Sequence, residues 1–415
     1  MKLKVFWLTY LFASIAFGIY MVAFSWLTVK HYGALGISLI TLGFAIPQSL
    51  FVLIGGIASD KINKHILFRI CQGSYIFLSL ILLATCIKEA PPLWFLVAMS
   101  FATGVVAAFS GPSKTSLISA LVDRSMITST QQWFNLASGL GIVLGSTISS
   151  HLLSTHYLFN NNDDGALSFL AYAIAMTPLL FCIPKPQEAI PLASTSLEKK
   201  FHLQTVVLNI KEALTYLNSE RSIRMLMSIL LMIFLLGTPF SYLLSIFAHD
   251  HPRMGNSSQF FSHLYAALGA GNVLGSLLGI YLAKAVNKNA TLFIYLILGL
   301  SCSAIISMEI NTPVGIIFFI ILTGICGTLS TNLLKDLIQS LCENMMRGRI
   351  AAFTQLLVGL SSMSAGLAGF LIHYLSTNPH DSYGAYEDVQ SFMLGLLALL
   401  GLSYLPKVLK AKIEF

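Results

Sequence analysis

Twelve long apolar runs divide this 415-residue chain, and their length constrains the fold more than any other feature. They fall at about 5–29, 34–58, 67–88, 92–113, 131–154, 165–183, 223–248, 258–284, 290–308, 311–334, 350–375 and 387–406, and are numbered here as spans 1 to 12. Each is close to the ~20 residues a helix needs to cross ~30 Å of hydrocarbon. Hydrophobic residues make up 56% of the chain and charged residues 10%, where a soluble domain carries about 25% charged residues. The pattern predicts an all-α polytopic membrane protein with 12 transmembrane helices.

The basic residues orient it. Sorted by alternate gaps between runs, 21 of the 24 Lys and Arg share one set of gaps with both ends of the chain, and only Lys30, Lys88 and Arg253 fall in the other. Lys114 and Lys335 are placed in the loops of the larger set. Cytoplasmic loops collect Lys and Arg, so both termini are expected in the cytoplasm. The net charge of +7 then belongs to the membrane face, where anionic lipid accounts for it, and no nucleic-acid partner is expected. Val5–Val29 is too long for the apolar core of a signal peptide and is read as a retained span. Cys71, Cys86, Cys182, Cys302, Cys326 and Cys342 are scattered, with no spacing for a disulfide framework or a zinc site. No cofactor is implied.

The longest polar stretch follows span 6. Pro184, Pro186 and Pro191 open it, and prolines stop helices. Leu203, Val206, Val207, Ile210, Leu214 and Leu217 then recur at helical spacing. That segment is either an amphipathic helix on the membrane surface or a short extension of span 7. The division expected is a six-helix bundle at 1–183, a cytoplasmic linker at 184–222 and a second six-helix bundle at 223–415. A weak internal repeat agrees: a shift of 223 residues carries Gly56-Ile57 onto Gly279-Ile280, Lys61 onto Lys284, Arg124 onto Arg347 and Gln132 onto Gln355. Two six-span halves related by an axis along the membrane normal form a known transporter plan.

The loop between spans 2 and 3 reads Gly55-Gly56-Ile57-Ala58-Ser59-Asp60-Lys61-Ile62-Asn63-Lys64-His65. It resembles the signature loop of the major facilitator superfamily, G-x-x-x-D-R-x-x-R-R/K, through Gly56, Asp60, Lys61, Lys64 and His65. Asp60 is placed to pair with a neighbouring span in one conformation only, which is what a gate requires. In the second half Ala283 stands where Asp60 would repeat. Gly111-Pro112-Ser113-Lys114, Asp123-Arg124, Trp133-Phe134-Asn135, Phe247-Ala248-His249-Asp250, Gly269-Ala270-Gly271 and Arg347-Gly348-Arg349 are similar to the enterobactin-exporter and macrolide-efflux branch. That resemblance implies a bacterial cytoplasmic-membrane exporter of a siderophore or an amphiphilic drug, driven by the proton gradient and working as a monomer. Lysophospholipid transporters resemble spans 4 and 5 nearly as well, so a lipid cargo stays open, as does import of a nutrient or siderophore. The Gly-Pro pair that proton antiporters carry in span 5 is replaced by Gly145-Ser146, and with it goes the kink that Pro imposes. Gly139, Gly141 and Gly145 still permit close packing.

The gating set implied is Gly55, Gly56, Asp60, Lys61, Lys64, Asp123, Arg124, Arg347 and Arg349. No Asp, Glu, Lys or Arg falls near the middle of any span, although an intramembrane charge marks function by default. Neutral groups are therefore expected to meet the cargo: Ser14, Tyr20, Gln48, Asn135, Ser138, Tyr242, Asn272 and Gln355, with Phe17, Phe24 and Trp26 as stacking surface. An uncharged or weakly charged cargo follows. His151, His263 and His373 are the residues expected to carry protons. No catalytic motif is present that would favour an enzyme; a lipid-modifying membrane enzyme is the distant alternative.

Overall fold

The computed structural model describes residues 2–87, 90–122, 127–154, 165–184, 215–251, 257–286, 291–342, 346–376 and 382–410. Within them the regular structure is helical, and no strand occurs. A helix bonds all of its own backbone groups, which is why it can stand in hydrocarbon.

Lys2–Lys61 is helical except for a break at Gly33, where φ is 56° and ψ −150°. A side chain would strain that left-handed conformation. The break turns the chain from span 1 into span 2, and Tyr32 Oη fixes the corner by donating to the carbonyl of Pro91 at 2.9 Å. Spans 3 to 6 are Lys64–Cys86, Leu93–Leu121, Ile127–Ser154 and Ala166–Cys182. Spans 8 to 12 are Ser258–Val286, Thr291–Glu309, Pro313–Leu341, Arg347–Leu375 and Tyr383–Lys410. The face where span 1 begins and span 12 ends is called here the terminal face, and the other the far face.

Span 7 departs from the expected continuous helix. It runs Arg221–Met232, widens into a π-turn at Ile233–Gly237, and resumes at Pro239–Tyr242 and Leu244–Asp250. Pro239 lacks the N–H that would bond Leu235 four residues back. The freed Leu235 carbonyl instead accepts from Ser364 Oγ of span 11. Proline acts similarly in span 4. Pro112 cannot bond Ala108, whose carbonyl lies where a Cβ on Gly55 would collide with it. The first glycine of the signature loop is thus a packing requirement, whereas Gly56 has open space around it.

Several spans run further than the sequence suggests, and two of the extensions carry lysines into the helices. Span 4 continues to Leu121 and span 10 to Leu341. Lys114 and Lys335, expected in loops, therefore stand inside membrane helices, with Asp336 beside the second. Both lysines still lie toward the terminal face, so the charge asymmetry is unaffected. Most of the proposed linker helix falls outside the described residues. Its last turn, at 215–219, is helical, and Leu217 is buried against the second half. All six cysteines are unbonded.

Candidate transport cleft and its gates

The most extensive contacts between the halves are two helix pairs, span 2 with span 11 and span 5 with span 8. The 223-residue repeat carries span 2 onto span 8 and span 5 onto span 11, so the two pairs are images of each other. Small residues set both contacts. A Cβ on Gly139 would strike Val273, and one on Gly269 would crowd Ile142 and Val143. Gly369, Gly366 and Gly359 of span 11 lie against Ser38, Leu42 and Ser49 of span 2 in the same way. Close backbone approach at small residues is how helices associate where lipid removes the hydrophobic drive.

Apolar packing shows which side is shut. At the far face one cluster joins both halves, with Trp26 and Ile37 from the first and Phe247, Phe261, Leu264 and Ile372 from the second. Trp26 is 6% exposed and lies between Phe261, at a ring-centroid distance of 6.1 Å, and His249, at 5.8 Å. At the terminal face the packing splits into two clusters, each confined to one half: Phe6, Phe68 and Phe134 in the first, Leu230, Phe293 and Leu334 in the second. Asn135 lies one turn nearer the terminal face than Gly139, and Gln355 one turn nearer than Gly359; both are exposed. A cleft between the halves therefore opens toward the terminal face. It is crossed by a hydrogen bond from Gln132 Nε2 to Asp336 Oδ2 at 3.0 Å. Gln132 is thus tied across the cleft while its repeat partner Gln355 is exposed, so the mouth is held on one flank.

The expected cargo residues fall in different surroundings. Asn135 and Gln355 line the opened part of the cleft, and Gln48 is half-buried in span 2 with its Oε1 unbonded. Asn272 accepts from Thr328 Oγ1 at 2.7 Å, and Tyr242 Oη accepts from Ser362 Oγ at 3.1 Å. Both link helices within the second half. Ser14 is not a cleft residue: it is 6% exposed, donates to the Tyr10 carbonyl at 2.9 Å and packs against Gly141 of span 5. Tyr20 stacks on Phe24 at 5.2 Å and leans on Phe169 and Tyr172 inside the first half, its hydroxyl buried beside Thr103 of span 4. Ser138 is half-buried. Of the expected stacking surface, Phe17 is exposed and Phe24 is core, while Trp26 belongs to the far-face closure.

The histidines are redistributed too. His151 shares a helix face with the exposed Leu144 and Ile148, and His263 shares one with the exposed Leu274 and Leu278. Those faces point outward from the cleft. His373 is half-buried near the end of span 11. The histidine at the junction of the halves is His249, whose ring meets Trp26 and whose Nδ1 bonds Asp250 Oδ1 at 2.5 Å. Asp250 Oδ2 also accepts the backbone N–H of Ser382 at 3.0 Å, which anchors the pair to span 12.

Of the gating set, Asp123 and Arg124 lie outside the described residues. Asp60, Lys61, Arg347 and Arg349 are placed by their backbones at the terminal-face ends of spans 2 and 11, and their side chains are likewise not described. Lys64 begins span 3 and is half-buried. Within the signature loop Ser59 Oγ lies 3.3 Å from Ser116 Oγ of span 4. His65 Nε2–H donates to the Ile183 carbonyl at 3.0 Å, pinning span 3 to the end of span 6. Ser146, in place of the antiporter proline, donates to the carbonyl of Ile142, and span 5 passes it unbroken.

An all-helical membrane protein of two six-helix halves joined through matching helix pairs is the architecture of a major facilitator. The sequence matches the Major Facilitator Superfamily over residues 6–366, and the chain belongs to that family. No curated protein sequence matches it. Solved structures share the fold at low identity. A variant of the nucleoside transporter NupG gives a TM-score of 0.73 at 12% identity, over 98% of this chain and 100% of that one. A bacterial homologue of the human lysosomal transporter Spinster, inward-facing and occupied, gives 0.72 at 11%, over 100% and 96%. A D-xylose–proton symporter gives 0.68 at 14%, over 96% and 97%.

Proposed function

We propose that this transporter exports a small organic molecule, siderophore-like or an amphiphilic drug, from the bacterial cytoplasm by alternating access, with protons moving in the opposite direction. The observation that carries alternating access is the asymmetric closure: the halves are packed together at the far face and parted at the terminal face; the export direction rests on the resemblance of the sequence. With the basic loops on the terminal face, the positive-inside rule makes that side cytoplasmic. The cleft then faces the compartment from which an exporter loads. Rocking the halves about the 2–11 and 5–8 contacts exchanges one opening for the other. The resemblance of the loops and span termini to the enterobactin-exporter and macrolide-efflux branch supports the outward direction.

His249 and Asp250 offer a physical route for proton coupling. A proton on His249 places a cation beside the Trp26 ring of the other half, which favours the closed far face, while its bond with Asp250 holds the imidazole in place within the second half. A proton taken up from outside would therefore return the empty carrier to its cytoplasm-facing state, which is the direction antiport needs. A potential of ~100 mV supplies about 2.3 kcal/mol for each charge moved.

A deletion strain compared with its parent tests the direction and the cargo, by excreted compounds under iron limitation and by sensitivity to amphiphilic drugs. Loss of an excreted chelator, or hypersensitivity to several amphiphiles, is the expected result. A strain that excretes normally, keeps its resistance and fails to take up a nutrient would refute export.

A further inference from the structure

Two lysines stand within membrane helices and take part in neither closure. Lys114 lies seven residues before Leu121, the terminal-face end of span 4, and Lys335 six residues before Leu341, the corresponding end of span 10. At 1.5 Å per residue both are roughly 10 Å inside their helices. A lysine at such depth ordinarily stretches its stem toward water. These two turn instead onto a ring in the first span of their own half. Lys114 Nζ donates to Tyr10 Oη at 3.0 Å and sits 4.9 Å from the ring centroid. Lys335 Nζ sits 5.3 Å from the centroid of Phe234, which the π-turn of span 7 presents. The two lysines are 221 positions apart and the two rings 224, close to the 223-residue repeat. The lysine–ring pairs recur on the corresponding helices of the two halves, spans 4 and 1 in the first and spans 10 and 7 in the second, though not at the same register.

A chain of contacts joins them across the cleft. The Tyr10 ring packs on Phe134 at 5.0 Å. Two residues earlier in the same helix, Gln132 reaches across to Asp336, the neighbour of Lys335. Gln132 Oε1 is buried on this path without a partner. Among the described residues no carboxylate lies within ion-pair distance of either ammonium group. Asp336 is engaged by Gln132, so among the described residues two lysine side chains share this locus with one carboxylate that is already hydrogen-bonded. Both lysines are half-buried. An aromatic face stabilises a cation but does not neutralise it.

We infer that Lys114 and Lys335 form a two-point anion site in the cleft, and that the cargo is an apolar or aromatic organic anion whose carboxylate, sulfonate or phosphate group lies between them. The inference rests on the transport reading and names the cargo class that reading leaves open. It also departs from the uncharged cargo that the sequence alone implies. Each half contributes one ammonium, so an anion held by both draws the halves together at the terminal face. Loading of the site thereby favours closure of the mouth through which the cargo entered.

Thermal unfolding of the purified full-length protein tests the site with matched pairs of probes: salicylate with salicylamide, naphthoate with naphthamide, and phenyl phosphate with phenol. The charged member of a pair should raise the melting temperature and its neutral partner should not. Lys114→Gln and Lys335→Gln should each weaken the apparent affinity by about tenfold, equivalent to ~1.4 kcal/mol. Lys114→Arg and Lys335→Arg keep the charge and should stay within about threefold of the parent. The melting temperature of each variant without probe separates a folding defect from a binding defect. A panel in which no charged member stabilises more than its neutral partner overturns the site. Undiminished stabilisation in the double glutamine variant does the same. Either result leaves the transport reading standing, since that reading is decided by the strain comparison.

Discussion

Replacing Trp26 with Ala should open the far face. Trp26 is buried, and across the junction it meets two rings of the second half, Phe261 stacked at 6.1 Å and His249 at 5.8 Å. Aromatic pairs contribute about 0.5–1.5 kcal/mol each beyond their area. The two together place ~1–3 kcal/mol on the closed far face, contacts that are lost when the halves part there. At 1.4 kcal/mol per factor of ten, removing them shifts the equilibrium roughly 5–150-fold toward the far-face-open state. The assay uses Ser38→Cys in a background whose six native cysteines are replaced by serine. Ser38 is fully buried behind Gly369 on the far-face half of the 2–11 contact. Labelling by a membrane-impermeant thiol reagent added outside should be slow in the parent and faster by at least about fivefold with Trp26→Ala, the lower end of that shift. An unchanged labelling rate in a variant of unchanged melting temperature would show that Trp26 is packing within one half and not a closure element.

Two further outcomes follow from particular contacts. A Cβ on Gly141 would collide with the backbone of Ser14 and Ile15 in span 1, whereas one on Gly56 meets nothing within 4 Å; Gly141→Ala should therefore cost about 1–3 kcal/mol by overpacking, and Gly56→Ala should be neutral or slightly stabilising on helix propensity, as read from thermal unfolding in detergent. His249→Gln removes the proton acceptor at the junction but keeps a hydrogen-bonding side chain, so accumulation driven by a pH gradient in proteoliposomes should fall toward background while exchange of cargo for cargo persists; retention of gradient-driven accumulation would exclude His249 as the coupling residue.

The polar residues of the spans divide into those that reach the cleft and those that turn inward. Asn135 and Gln355 were recognisable as polar groups in apolar runs, and the structure brings them to the cleft. Ser14 and Tyr20 carried the same signal and turned inward, because a polar residue in a span reveals nothing about which neighbour its helix face meets. His249–Asp250 was visible as a motif, yet its place at the junction depends on Trp26, more than 220 residues away in sequence. Lys114 and Lys335 had a readable signal that the charges obscured. Leu117 and Ile118 continue the apolar stripe of span 4 past the first lysine, and Leu337 and Ile338 continue that of span 10 past the second. Each of these spans continues past its first charge by about two turns.

The sequence by itself determined the number of crossings, their alternation, the charged face and the twofold internal repeat. Each of these depends on run length, local periodicity or the energy of a charge in lipid, all of which act residue by residue. The tertiary structure alone decided which helices meet across the halves, which face is closed, and which polar side chains share a cleft. Those depend on contacts such as Gly139 with Val273 and Trp26 with Phe261, where residues far apart in the chain pack by shape. Shape complementarity between distant helices leaves no periodic trace in either of them.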